Sequence, residues 1–174
     1  MTLTSRLATE DDVPDLVPLI TAAIDELQQG FLGEDQIRAS HQIMGVDHQL
    51  IDDKTYYVWK TTARSSDAVA GAGGRRSTER TTAPAGAAGC STHAPSRRAF
   101  APYTHPSFTR RGVGRLILRV CADAAAAEGF TRLSLMATLA GLPLYTAAGF
   151  TPVEEVADSI AGVPIPLVRM AKDI

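Results

Sequence analysis

Apolar positions recur at helical spacing in two long stretches of the chain and collect into short extended blocks elsewhere. Val13, Leu16, Val17, Ile20, Ile24 and Leu27 fall on one face of a helix, so that face is expected to be buried. Thr9 precedes it as an N-cap. Glu10, Asp11 and Asp12 suit the positive end of the helix dipole, and Pro14 sits in the first turn, where a missing N–H costs little. Gly30 and Gly33 break the pattern, and a weaker helix is expected over Glu34 to Met44. The second stretch predicts a helix over Gly112 to Glu128, with Val113, Leu116, Ile117, Val120, Cys121 and Ala124 on one face and Gly129 as its C-cap. A short helix is expected over Leu142 to Ala148, stopped by Gly149.

Strand composition marks Leu3 to Ala8, Thr55 to Lys60, Ala68 to Ala72, Leu133 to Met136, Thr151 to Val156 and Val163 to Met170. Alternating strands and helices predict an α+β (mixed α/β) fold in a single domain over 1–174. No internal repeat is visible.

The middle of the chain breaks the pattern. From Ala70 to Gly112 there is no Val, Ile, Leu or Met, and between Glu79 and Asp123 there is no acidic residue. Such a stretch buries too little apolar surface to offset its ordering entropy, so low order is expected, most of all over 75–102. A structureless loop of that length is unusual inside a compact domain.

Charge and composition then narrow the function classes. A formal net charge of −2 argues against a broad nucleic-acid surface. Cys90 and Cys121 form neither a disulfide framework nor a zinc pattern. His41, His48, His93 and His105 have no metal-ligand spacing, so no metal is expected. The N-terminus does not read as a secretory signal, and no apolar run is long enough to span a bilayer. A soluble, cytoplasmic protein is expected. No Ser, His and Asp set points to a hydrolase.

Cofactor chemistry concentrates in Thr104 to Arg115, Thr-His-Pro-Ser-Phe-Thr-Arg-Arg-Gly-Val-Gly-Arg. Gly112 and Gly114 open the second long helix. Glycine lets backbone approach a ligand closely, and first-turn N–H groups with the helix dipole make an anion site suited to a pyrophosphate. Arg110, Arg111 and Arg115 add charged donors. No Gly-Lys-Ser/Thr follows, so this is not a nucleotide P-loop, and a dinucleotide fingerprint would need a third glycine. On this reading Gly114→Val is expected to weaken ligand binding and leave the fold intact.

This stretch resembles the acetyl-CoA motif of the GNAT superfamily, Arg/Gln-x-x-Gly-x-Gly/Ala before a helix, with Thr109 at the position that usually holds Arg or Gln. Leu133 to Phe150 resembles the strand–helix unit of the same superfamily that ends Tyr-x-x-x-Gly-Phe, here Tyr145, Gly149 and Phe150. The resemblance implies a mostly antiparallel central sheet flanked by helices. It implies acetyl-CoA as co-substrate, held by Tyr103, Thr104, Thr109, Arg110, Arg111, Gly112, Val113, Gly114 and Arg115. It also implies acetyl transfer to an amine of a small molecule or protein, by direct attack, with Tyr145 protonating the departing thiolate. Neither a nucleic-acid nor a membrane partner is implied; a homodimer is left open.

The superfamily has a strand just before this motif, where the chain reads Ser96 to Pro102. Pro102 has no ladder N–H, and branched aliphatics are missing. With GC-rich codons, the neighbouring frame over Gly89 to Pro102 permits Leu-Leu-Asp-Pro-Arg-Thr-Glu-Pro-Ala-Arg-Val-Arg-Ala. A frame-shifted reading of roughly 75–102 accounts for the missing strand; a natural insertion does not. A non-catalytic CoA-binding relic is the alternative function. Asp47, His48, Asp52 and Asp53 form a polar cluster read as a solvated loop that could also touch a cationic amine.

Overall fold

The computed structural model describes residues 3–61, 68–73, 97–99 and 102–174. Their strands form two four-stranded sheets. The first has the order β1 (Leu3–Leu7), β2 (Tyr56–Thr61), β3 (Ala68–Gly73), β5 (Tyr103–Thr104), all antiparallel. The second has the order β4 (Arg97–Ala99), β6 (Arg132–Thr138), β8 (Val163–Asp173), β7 (Thr151–Ile160). Only the β4–β6 pairing is parallel. Of the 75–102 tract, three residues thus pair as a strand; 75–96 and 100–101, with Cys90 and His93, lie outside the described residues.

α1 (Val13–Leu27) covers one face of the first sheet. Leu16, Leu19, Ile20, Ala23 and Ile24 are buried against Tyr56, Val58 and Tyr103. The expected stripe is therefore rotated: Val17 is 50% exposed, and Leu19 and Ala23 take its place. The 16-19/20-23/24 spacing keeps the contact on one face, whereas Val17 falls a step outside it.

The turn before α1 is held by charge. Asp12 is buried, and Arg6 grips it with two bonds of 2.7 Å. The Thr9 amide donates to it at 3.0 Å, and Lys60 lies 3.1 Å from it and 3.0 Å from Asp15. Burial alone raises the Asp12 pKa, but the bonds from Arg6, Thr9 and Lys60 outweigh it and hold the carboxylate far below its usual range.

α2 (Glu34–Ile43) packs Ala39 and Ile43 on Ile165 and Leu167 of β8. Strands β7 and β8 are longer than their sequence pattern implies and join through Ala161–Gly162, both at positive φ, the conformation of a tight two-residue hairpin. Pro164 and Pro166 lie where β8 has β7 alone beside it, so their missing N–H breaks no second ladder. Asp47 to Asp53 is not a loop. Asp47 accepts from the Gln49 amide and caps a short helix, α3 (His48–Asp52), which buries Leu50 and Ile51. His48 pairs with Glu10 at 3.1 Å.

α4 (Val113–Ala127) covers the opposite face of the first sheet. Val113, Ile117, Leu118, Cys121 and Ala125 are buried with Trp59, Ala70 and Ala72. Leu116, expected in the core, is 37% exposed instead. Gly129, at φ +83, ends the helix as expected.

Candidate active site

Four elements build the site: the end of β5, the turn that follows it, the start of α4, and α5 (Leu142–Ala147). After Thr104 the chain turns sharply through Pro106–Phe108. The Thr109 hydroxyl donates back to the Pro106 carbonyl at 2.8 Å, so the side chain at this motif position serves the turn itself. Arg110 (φ 59) and Gly112 (φ 81) are both left-handed. For arginine this is an uncommon conformation held by its surroundings; glycine adopts it freely.

These two reversals aim the chain into α4, whose first amides have no acceptor four residues back. A methyl at Gly112 would meet nothing within 4 Å, so open space lies over the turn. A groove there is lined by Leu3, Arg111, Gly112, Val113 and Leu116. Arg110, Arg111 and Arg115 are exposed around it, and the Arg111 guanidinium lies 5.5 Å over the Phe108 ring. A positive rim, first-turn amides and an uncovered glycine fit a diphosphate.

The two sheets part beside this turn. Arg97–Ala99 pairs with Arg132–Ser134. Farther along, among the described residues, Tyr103–Thr104 pairs only with β3, and Leu135–Thr138 only with β8. The facing edges of β5 and β6 therefore make no ladder with each other, which leaves backbone donors and acceptors for an extended ligand.

Gly114 does not face that ligand space. A methyl there would stand 2.7 Å from Leu144 Cδ2. The glycine brings α5 up against α4, so Gly114→Val is not a clean binding probe as expected from sequence. Gly141 makes room in the same way for Tyr145, whose Cε2 would lie 2.6 Å from an added methyl. Tyr145 is buried and meets Phe150 edge-on at 6.1 Å. Lys172 holds the end of α5 by donating to the Ala148 carbonyl at 2.8 Å.

Tyr103, on β5, points to the α1 side and is buried there. Burial raises its pKa well above the usual range, and the Tyr145 phenol adds to the rise. Tyr56 is likewise pushed up by burial. Neither hydroxyl meets hydrogen-bond geometry with a partner among the described residues, although the Gly45 amide stands beside Tyr103. The turn and Tyr145 carry the motifs singled out in the sequence, and Asp47 belongs to the polar cluster noted there; Tyr56 carries no such signal, because its helix-facing position is set by β2 pairing.

A family model described as "Acetyltransferase (GNAT) family" matches residues 22–150. No curated protein matches the chain. Among solved structures, a GCN5-related N-acetyltransferase from Rhodopseudomonas palustris aligns with a TM-score of 0.73 at 18% identity, covering 100% of this chain and 97% of that one. PaiA N-acetyltransferase from Thermoplasma acidophilum, in complex with coenzyme A, aligns with a TM-score of 0.68 at 13% identity over 100% of both chains. YncA from Salmonella typhimurium, with its cofactor acetyl-CoA, aligns with a TM-score of 0.61 at 16% identity over 98% and 93%. These likenesses establish the fold.

Proposed function

The chain belongs to the acetyltransferase (GNAT) family, and we propose that it transfers an acetyl group from acetyl-CoA to an amine. The observation that carries the reading is the left-handed turn at Arg110 and Gly112 delivering open, arginine-rimmed amides at the start of a 15-residue helix. On this reading Val113, Gly114 and Arg115 amides hold the pyrophosphate with Arg110, Arg111 and the Gly112 turn, while Tyr103, Thr104 and Thr109 shape the path between the parted strands. Two of the similar structures hold coenzyme A or acetyl-CoA, which supports the cofactor.

Acetyl-CoA supplies a thioester whose carbonyl an amine can attack directly. Tyr145 is the proposed acid: its phenol delivers a proton to the leaving sulfur. Phe150 and Gly141 fix the ring in place, and the short α5 holds it beside α4. The relic alternative is not favoured, because Arg97–Ala99 and Tyr103–Thr104 occupy the two arms of the strand position that it requires to be lost. We place the whole chain in one catalytic domain of a soluble, cytoplasmic protein; among the described residues no helix is long and apolar enough to cross a membrane. Thiol release from acetyl-CoA on addition of an amine panel tests the activity; no amine-dependent release with any of them would sink it.

A further inference from the structure

The six residues of α5 make a helix too short to hold itself, so Tyr145 depends on what clamps its ends. At the C-terminal end the clamp begins with backbone. Gly149 turns left-handed at φ +88. Its amide donates to the Thr146 carbonyl at 3.0 Å, and the Phe150 amide donates to the Tyr145 carbonyl at 3.0 Å. Phe150 therefore holds Tyr145 twice, by that bond and by the edge-on ring contact.

A side chain from β8 completes the clamp. Val168, Met170 and Lys172 alternate along this strand, so they share one face of the sheet. Val168 and Met170 pack into the core that contains Tyr145 and Phe150. Lys172 ends the same stripe with a charge. It is half-buried, donates to the Ala148 carbonyl at 2.8 Å, and carries its ammonium 6.0 Å over the Phe150 ring. Its Cε lies 3.5 Å from where a methyl on Gly149 would stand, so the stem runs along the turn itself. An apolar residue here would continue the stripe without the cost of desolvating a charge. What the ammonium adds is a bond to the last turn of α5 and a contact with the ring that braces Tyr145.

Resting on the acetyl-transfer reading, we propose that Lys172 is a positioning residue for the Tyr145 acid. Lys172 moves no proton. It locks the Gly149–Phe150 turn onto β8, and the turn fixes the backbone and ring of Tyr145. A general acid must stand within hydrogen-bond reach of the atom it protonates, and a misplacement of about 1 Å can cost on the order of 100-fold.

Lys172→Met keeps most of the stem and removes the ammonium, whereas Lys172→Arg keeps a charged donor. Kinetics use the full chain and the amine that releases thiol fastest. Lys172→Met is expected to lower kcat about 10-fold at an unchanged calorimetric Kd for CoA, and Lys172→Arg to recover most of the loss. In a Tyr145→Phe background the same Lys172→Met change is expected to cost nothing further, because no proton is left to place. An equal loss in both backgrounds is what a merely structural lysine gives, and it overturns the proposal, as does full turnover in Lys172→Met. Amide exchange followed by NMR needs no turnover. The Gly149 and Phe150 amides should exchange several-fold faster in Lys172→Met, and unchanged exchange there also overturns the proposal. Absence of thiol release from the wild type overturns the acetyl-transfer reading instead, and exchange still decides whether Lys172 holds Tyr145 in place.

Discussion

Gly114 and Leu144 are in direct opposition: a methyl added to Gly114 would stand 2.7 Å from Leu144 Cδ2. The second glycine of the Gly-x-Gly pair therefore sets how closely α5 approaches α4, and with it the position of Tyr145.

Gly114→Val is expected to destabilise the fold by about 1–3 kcal/mol through overpacking. Adding Leu144→Ala should restore part of that loss, since the truncated side chain vacates the clashing volume. A double-mutant cycle by chemical denaturation measures the coupling. Strictly additive losses would show that the two positions do not meet.

Tyr145→Phe keeps the edge-on contact with Phe150 and removes the hydroxyl that would give the proton. Its kcat should fall on the order of 100-fold, with CoA affinity and Tm little changed. Full turnover in the variant removes Tyr145 from the mechanism.

Asp12 links stability to pH. Its folded pKa lies below its unfolded value of about 3.9, so its contribution is present above about pH 5 and is lost as pH falls below that. Arg6→Met should cost about 1–3 kcal/mol at pH 7, because Lys60 stays beside the buried carboxylate. The penalty should shrink at pH 3. Urea denaturation at both values checks the sign, and a penalty that grows on acidification refutes it.

Periodicity and glycine placement make most elements legible in the sequence. The stripe from Leu16 to Ile24, the left-handed stop at Gly129 and the Tyr145–Phe150 unit each express a local rule. What stayed hidden depends on partners distant in sequence. Val17 and Leu116 are apolar and in phase, yet the neighbouring element does not reach them. Asp12 looks like one more acidic first-turn residue until Arg6 and Lys60 close on it. Tyr56 has no motif; only the fold brings the α2–α3 loop, with Met44 and Val46, onto Tyr56 and Tyr103. The low-complexity tract resembles no folded element by composition, yet Arg97–Ala99 pairs with β6 through backbone groups, which composition does not report.

The central claim is that acetyl-CoA is held at the Arg110–Gly112 turn. Titration of acetyl-CoA into the wild-type chain and into Gly112→Ala tests it most directly. A side chain at φ +81 strains the turn without meeting any protein atom within 4 Å, so thermal melting should show a folded variant. Saturable binding to the wild type is expected, with a rise in Kd of about 10-fold or more in the variant, since the turn's amides no longer point together. Absence of binding to the wild type, or an unchanged Kd in folded Gly112→Ala, would contradict it.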